Sequence, residues 1–140
     1  MATQTKREPL KIILDSNALF VPLEYKIDIF TELPNLLCRN LQLILLSPVK
    51  RELETLAQTK SPKTRRNAAF ALTLAQKLTF VNIQTPPNET VDNTILRIAK
   101  QWHTPVFTND KQLKRKLRDI SIPVIYTRAK SRLEIDGLIS

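Results

Sequence analysis

The chain has 140 residues, 42% of them hydrophobic, which suits one core of ordinary domain size and is too short for two. Its 22 Lys and Arg against 13 Asp and Glu leave a formal charge of +9, a field that favours a polyanionic partner, nucleic acid before a membrane surface. A single cysteine excludes an intramolecular disulfide and a thiolate zinc cluster, and with His103 alone a histidine metal site or a Ser-His-Asp triad is hard to build within one chain, so the chemistry is expected to fall to carboxylates, Lys and Arg.

From the N-terminus, MATQTKREPLKIILD holds too short an apolar stretch for a signal peptide, and residues 1–9 read as a flexible lead. No run anywhere approaches the roughly 18 apolar residues of a spanning helix, so a cytoplasmic protein is expected. KIIL at 11–14 reads as a first strand. EYKIDIFTEL then places Ile27, Phe30 and Leu33 on one side of a helix, which Pro34 kinks or restarts before NLLCRN. A second strand, LQLILL at 41–46, leads into SPVKRELETLAQ, with Ser47 as N-cap and Pro48 at the first helical position. RRNAAFALTLAQKL is a strong Ala- and Leu-rich helix. LTFVNI at 78–83, the helix TVDNTILRIAKQW, the strand PVF at 105–107, the helix NDKQLKRKLRDI and the strand IPVIY at 122–126 complete the alternation. The tail AKSRLEIDGLIS offers a further edge strand, with Gly137, the only glycine, in a turn at positive φ.

Strands alternating with helices imply one α/β domain over 1–140, with a central, mainly parallel five-stranded sheet flanked by helices in three layers. In such sheets ligands gather beyond the C-terminal strand ends, which directs attention to the acids found there. Asp15 directly follows the first strand, and Asp110 lies just beyond the fourth, at a helix start. On the helix from Pro48, with Val49 at zero, the apolar arc runs from about −20° to about 80°; Glu52 falls on its rim at about −60° and Glu54 faces away at about 140°. On the helix from Val91 the same construction puts Asp92 on the rim at about 100° and Asn93 outward at about 200°. Trp102 shares the apolar arc and is assigned to the core. Taken singly, Asp15, Asp92 and Asp110 are explained as helix caps or first-turn acids worth about 1 kcal/mol each, and a rim Glu as a solvated side chain.

In order, ILDSNALF, SPVKRELETL, VDNTILRIAKQW and VFTNDKQLKRKL resemble the PIN (PilT N-terminal) domain family of metal-dependent ribonucleases. KIDIFTEL, KSPKTRRNAAFALTLAQ and IPVIYTRAKSRLEIDG extend the likeness over nearly the whole chain, toward the archaeal branch that resembles rRNA-processing nucleases. The resemblance implies an acidic quartet at Asp15, Glu52, Asp92 and Asp110, supported by Ser16, Asn17, Thr108 and Asn109. Asn93 stands where many relatives have a second acid. It also implies a site for one or two Mg²⁺ or Mn²⁺ ions, with Asp15 and Asp110 nearest the metal and Glu52 and Asp92 completing the shell or orienting water. Cleavage of RNA would leave 5′-phosphate and 3′-hydroxyl ends.

The chemistry suits these residues, because phosphodiester hydrolysis needs hydroxide near neutral pH and cations beside the phosphate, which hard ions on oxygen ligands provide. Gathered carboxylates repel by about 4 kcal/mol per pair at 4 Å and an effective dielectric of 20, so they imply raised pKa values or a bound cation. Lys63, Arg65 and Arg66, then Lys111, Lys114 and Arg115, then Arg128 and Lys130 are the expected RNA contacts, which position a backbone without reading sequence. Three functions compete on this reading: an endoribonuclease of RNA such as pre-rRNA, the toxin of a toxin-antitoxin pair with the same chemistry and an antitoxin partner, and a non-catalytic RNA-binding scaffold. Homodimers are common in the family. A phospho-acceptor receiver domain is disfavoured, since LTFVNIQTPP ends its strand without the Asp that such a domain needs.

Overall fold

In LKIIL, Ile12, Ile13 and Leu14 are all fully buried. Consecutive burial of neighbours that point to opposite faces means that both faces are covered, as expected of a central strand between helical layers. The computed structural model describes residues 8–139, and this run is its β1 (Leu10–Leu14). The other strands are β2 (Leu41–Leu46), β3 (Thr79–Val81), β4 (Val106–Phe107), β5 (Val124–Arg128) and β6 (Arg132–Asp136). A 3₁₀ turn (Ser16–Phe20) follows β1, and the helices are α1 (Val21–Tyr25), α2 (Ile29–Leu37), α3 (Ser47–Leu56), α4 (Pro62–Ala75), α5 (Val91–Trp102) and α6 (Lys111–Asp119).

The sheet order is β3-β2-β1-β4-β5-β6, parallel throughout except for the antiparallel β5–β6 pair. Chain progression reverses direction between β1 and β4, the place where the crossovers change face and a crevice opens at the C-terminal strand ends. Leu14 pairs with Phe107 there. The mainly parallel α/β architecture is therefore as expected.

The local expectations differ in five places. The sheet has six strands, not five: the tail forms β6, closed onto β5 by a turn with Ala129 and Lys130 both at φ 54°. Neither residue is a Gly or Asn, so the usual hairpin signal is missing. The helix expected through EYKIDIFTEL is broken at Lys26 (φ 56°), because Asp28 caps a fresh helix by accepting from Phe30 N–H (3.1 Å) and Thr31 Oγ1 (2.9 Å). Pro34 lies inside that helix and does not restart it; the helix runs on to Leu37, with Cys38 after it in the left-handed conformation. Ser47 does not cap α3; its hydroxyl instead accepts from Ile83 N–H (2.9 Å) and tethers the chain after β3. Trp102 sits at the margin of the core, not inside it, with Lys11 Nζ 5.2 Å from its ring centroid.

Gly137 does adopt positive φ (106°). A Cβ there would meet the Arg118 guanidinium. Of the flexible lead expected over 1–9, residues 1–7 lie outside the described residues, while the Glu8 carbonyl accepts from Arg39 Nη2 (3.4 Å). Among the described residues, no helix is long and apolar enough to cross a membrane.

Candidate active site

Because β1 and β4 are neighbours in register, the residues that follow them meet. Asp15 N–H donates to the Phe107 carbonyl (3.0 Å), extending the ladder by one residue. Its extended backbone makes Asp15 the N-cap of the 3₁₀ turn, with Oδ1 accepting from Ser16 N–H (2.8 Å). Oδ2 accepts from Thr108 Oγ1 (2.8 Å) and Asn17 Nδ2 (3.0 Å). A carboxylate oxygen has two lone pairs, so Oδ2 is saturated and Asp15 has one site open, on Oδ1.

The remaining polar groups join the DSN and TND segments. Asn17 Oδ1 accepts from Asn109 N–H (2.9 Å), and Thr108 Oγ1 accepts from Asp110 N–H (3.1 Å). Asn109 in turn reaches β5: its Oδ1 accepts from Thr127 N–H (2.7 Å) and its Nδ2 donates to Thr127 Oγ1 (3.1 Å). Ser16 Oγ donates to Glu52 Oε1 (2.5 Å), linking the second acid to the first. Among the described residues, no buried side-chain polar atom lacks a partner. Such a satisfied network holds its members in one arrangement.

Asp110 caps α6 with Oδ1 alone, accepting from Gln112 N–H (2.8 Å) and Leu113 N–H (3.0 Å), so Oδ2 is left open. Asp92 lies in the first turn of α5, whose cap is Thr90. Glu52 and Asp92 are half-buried, while Glu54 and Asn93 are exposed, as the helical arcs predict. Asn93 therefore points away from the acids.

Burial, then the charges of Glu52 and Asp92, raise the Asp15 carboxyl from 3.8 to about 6 against the hydrogen bonds from Thr108 and Ser16. Burial, then Asp110 and Glu52, also push Asp92 up, with Lys116 partly opposing. The four acids are thus electrostatic neighbours in a chain through Asp15, Glu52, Asp92 and Asp110. Among the described residues, the Lys and Arg ion pairs go to Glu89, Asp136 and Glu134, and none to these four. Nor do three carboxylate, imidazole or thiolate groups among the described residues close into a ready-made metal cage. The donor set still fits a hard divalent cation, because Mg²⁺ ordinarily keeps several waters and takes only one or two carboxylates, the substrate phosphate supplying more oxygen.

The basic residues divide into two groups. Lys111, Lys114, Arg128 and Lys130 line a cleft of about 490 Å³ that also borders Thr108 and Asn109. Lys63, Arg65 and Arg66 lie exposed on the first turns of α4, and neither they nor the exposed Arg115 line it. Sequence reasoning missed Thr127 and left Tyr25 unassigned, although both border the cleft. Thr127 stands near the C-terminal end of a parallel strand, the same signal that singled out Asp15 and Asp110.

Residues 12–130 match the family described as PIN like domain. The chain is 35% identical to Ribonuclease VapC4 of Methanocaldococcus jannaschii over 130 residues, 92% of this chain and 98% of that one. It is 32% identical to Ribonuclease VapC9 of Archaeoglobus fulgidus over 95 residues, 68% of this chain and 67% of that one. The structure of the PIN domain endonuclease Utp24 superposes with a TM-score of 0.79 at 24% identity, covering 96% of this chain and 97% of that one. VapBC2 of Rickettsia felis, bound to a DNA fragment from its promoter, matches at a TM-score of 0.60 and 18% identity, over 85% of this chain and all of that one. At those identities the two structures speak to the fold alone. A family match from β1 into the β5–β6 turn, together with a 35% identical ribonuclease spanning 92% of the chain, shows that this protein belongs to the PIN domain family of nucleases.

Proposed function

We propose that the protein is a divalent-metal-dependent endoribonuclease whose site is formed by Asp15, Glu52, Asp92 and Asp110. The supporting observation is their gathering at the C-terminal strand ends, where burial and mutual charge raise Asp15 and Asp92 and no Lys or Arg among the described residues forms an ion pair with any of them. Mg²⁺ or Mn²⁺ held there would supply a Lewis acid for the phosphate and a bound water of lowered pKa. The open oxygens of Asp15, Asp92, Asp110 and Glu52 would hold it. The chain's own part is positional: Thr108 and Asn17 keep Asp15 in one rotamer, Ser16 orients Glu52, and the α6 cap fixes Asp110. The basic residues hold the RNA backbone.

The test is cleavage of labelled RNA by the purified protein with Mn²⁺, then with EDTA, and by Asp15→Asn. Cleavage that needs the metal and is lost in the folded variant supports the reading; undiminished cleavage by Asp15→Asn sinks it. Binding with no metal-dependent product in any arm favours the non-catalytic scaffold.

A second reading concerns setting rather than chemistry. The VapC names of two relatives favour the toxin of a toxin-antitoxin pair as much as a ribonuclease that processes RNA such as pre-rRNA. Growth arrest on expression, relieved by a small protein from an adjoining gene, distinguishes the toxin.

A further inference from the structure

The cleft beside the acids has features that a general basic surface lacks. Its volume of about 490 Å³ falls within the roughly 300–1,000 Å³ usual for small-molecule sites. Asn109 lines it and ties it to the site, since the same residue bonds Asn17 through its backbone and Thr127 through its side chain. Thr127 Oγ1 accepts from Asn109, so its own proton is free to be donated into the cleft.

The cations are of two kinds. Lys114 is held by Asp136 (3.6 Å) and by the Tyr126 ring, 3.6 Å from its centroid, and Arg128 by Glu134 (3.3 Å). Lys111 and Lys130 have no ion pair among the described residues. Lys130 is carried by a turn closed by Ser131 N–H on the Arg128 carbonyl (3.1 Å), with positive φ at both Ala129 and Lys130. Side chains other than Gly, Asn and Asp seldom adopt that geometry, and such strain gathers at binding sites. Tyr25 ends α1 and also lines the cleft, half-buried against the core, and its side chain makes no hydrogen bond or ring contact among the described residues.

We propose that this cleft seats the nucleotide adjoining the scissile phosphate of single-stranded RNA, its base stacked on Tyr25 and its phosphates held by Lys111 and Lys130. An unengaged ring lining the same cleft as the unpaired Lys111 and Lys130 matches a planar base joined to phosphate, whereas an acidic peptide would use the cations and leave the ring idle. Stacking requires an unpaired base, hence a single strand. What the nucleotide adjoins rests on the ribonuclease reading; the cleft's affinity for RNA does not.

The experiment measures binding of a short fluorescein-labelled oligoadenylate by anisotropy in EDTA across a salt series. Tyr25→Leu is expected to weaken binding roughly ten-fold with the salt slope unchanged, and Tyr25→Phe to bind as the parent does. Lys111→Ala with Lys130→Ala is expected to reduce the slope of log K against log salt by about 1.4, at about 0.7 per contact to a single strand. Unchanged affinity in Tyr25→Leu, or an unchanged slope in the lysine pair, overturns the proposal. Both lysines are exposed, so their arm stands even where Tyr25→Leu perturbs folding. Parallel assays with Mn²⁺ separate the two readings. Cleft-dependent binding without cleavage keeps the cleft and removes the nuclease; cleavage with binding indifferent to all three residues does the reverse.

Discussion

Replacing Asp15 by Asn is expected to stabilise the metal-free protein at neutral pH while removing its activity. Asp15 is 4% exposed, and its carboxyl is raised from 3.8 to about 6, by burial first and by Glu52 and Asp92 after it. The unfolded chain releases this proton near 3.8, the folded chain only near 6. The folded state therefore binds more protons between those values, and stability falls as pH rises through that window and levels off above it. At about 1.36 kcal/mol per pKa unit, the penalty is about 3 kcal/mol at pH 7.5 and about 0.5 kcal/mol at pH 4. Asn does not ionise, so it escapes the penalty. Its amide nitrogen, however, meets either Ser16 N–H or the Asn17 and Thr108 donors, losing about 1 kcal/mol at every pH.

The net effect is a gain of about 2 kcal/mol at pH 7.5 and a loss of about 0.5 kcal/mol at pH 4. Urea unfolding in EDTA at the two pH values reads this directly, and thermal melting at pH 7.5 is expected to rise by about 8 °C for a chain of this size. The reasoning fails if the variant is less stable than the parent at pH 7.5, or differs from it equally at both pH values. Millimolar Mg²⁺ is expected to raise the parent's melting temperature and to leave the variant's unchanged.

Three further substitutions probe the frame around the site. Asn109→Ala removes both side-chain bonds to Thr127 and leaves a half-buried N–H unpaired, a loss of about 1–3 kcal/mol; denaturant unfolding within about 0.5 kcal/mol of the parent contradicts it. Gly137→Ala drives a Cβ against the Arg118 guanidinium and to 3.1 Å from Pro123 Cα at φ 106°, so a loss of about 1–3 kcal/mol is expected, and an unchanged melting curve refutes it. Cys38→Gly relieves an exposed left-handed residue (φ 52°) after α2 and is expected to raise the melting temperature by about 2–4 °C; a fall argues against strain there.

Much of the fold is legible in local patterns. LQLILL is β2 to the residue, and the helical arcs separate half-buried Glu52 from exposed Glu54 and half-buried Asp92 from exposed Asn93. Misreadings arise where a side chain had two uses. Ser47 has the chemistry of a cap but bonds Ile83, and Asp28 starts a helix inside a segment whose apolar spacing reads as continuous. The hairpin at Ala129 and Lys130 is invisible because its conformation is imposed by the β5–β6 pairing and not favoured by its residues.

The sequence by itself determined the alternation of strands and helices and which four acids stand at strand ends and helix rims, because burial imposes periods of 2 and 3.6 within a few residues. Only the tertiary structure decided that β4 lies beside β1, which brings Thr108 to Asp15 across 93 positions and Ser16 to Glu52 across 36. It likewise decided that Tyr25, Thr127 and Lys130 share one cleft. No period encodes such meetings: they follow from strand order and crossover direction, which are set by how the whole core packs.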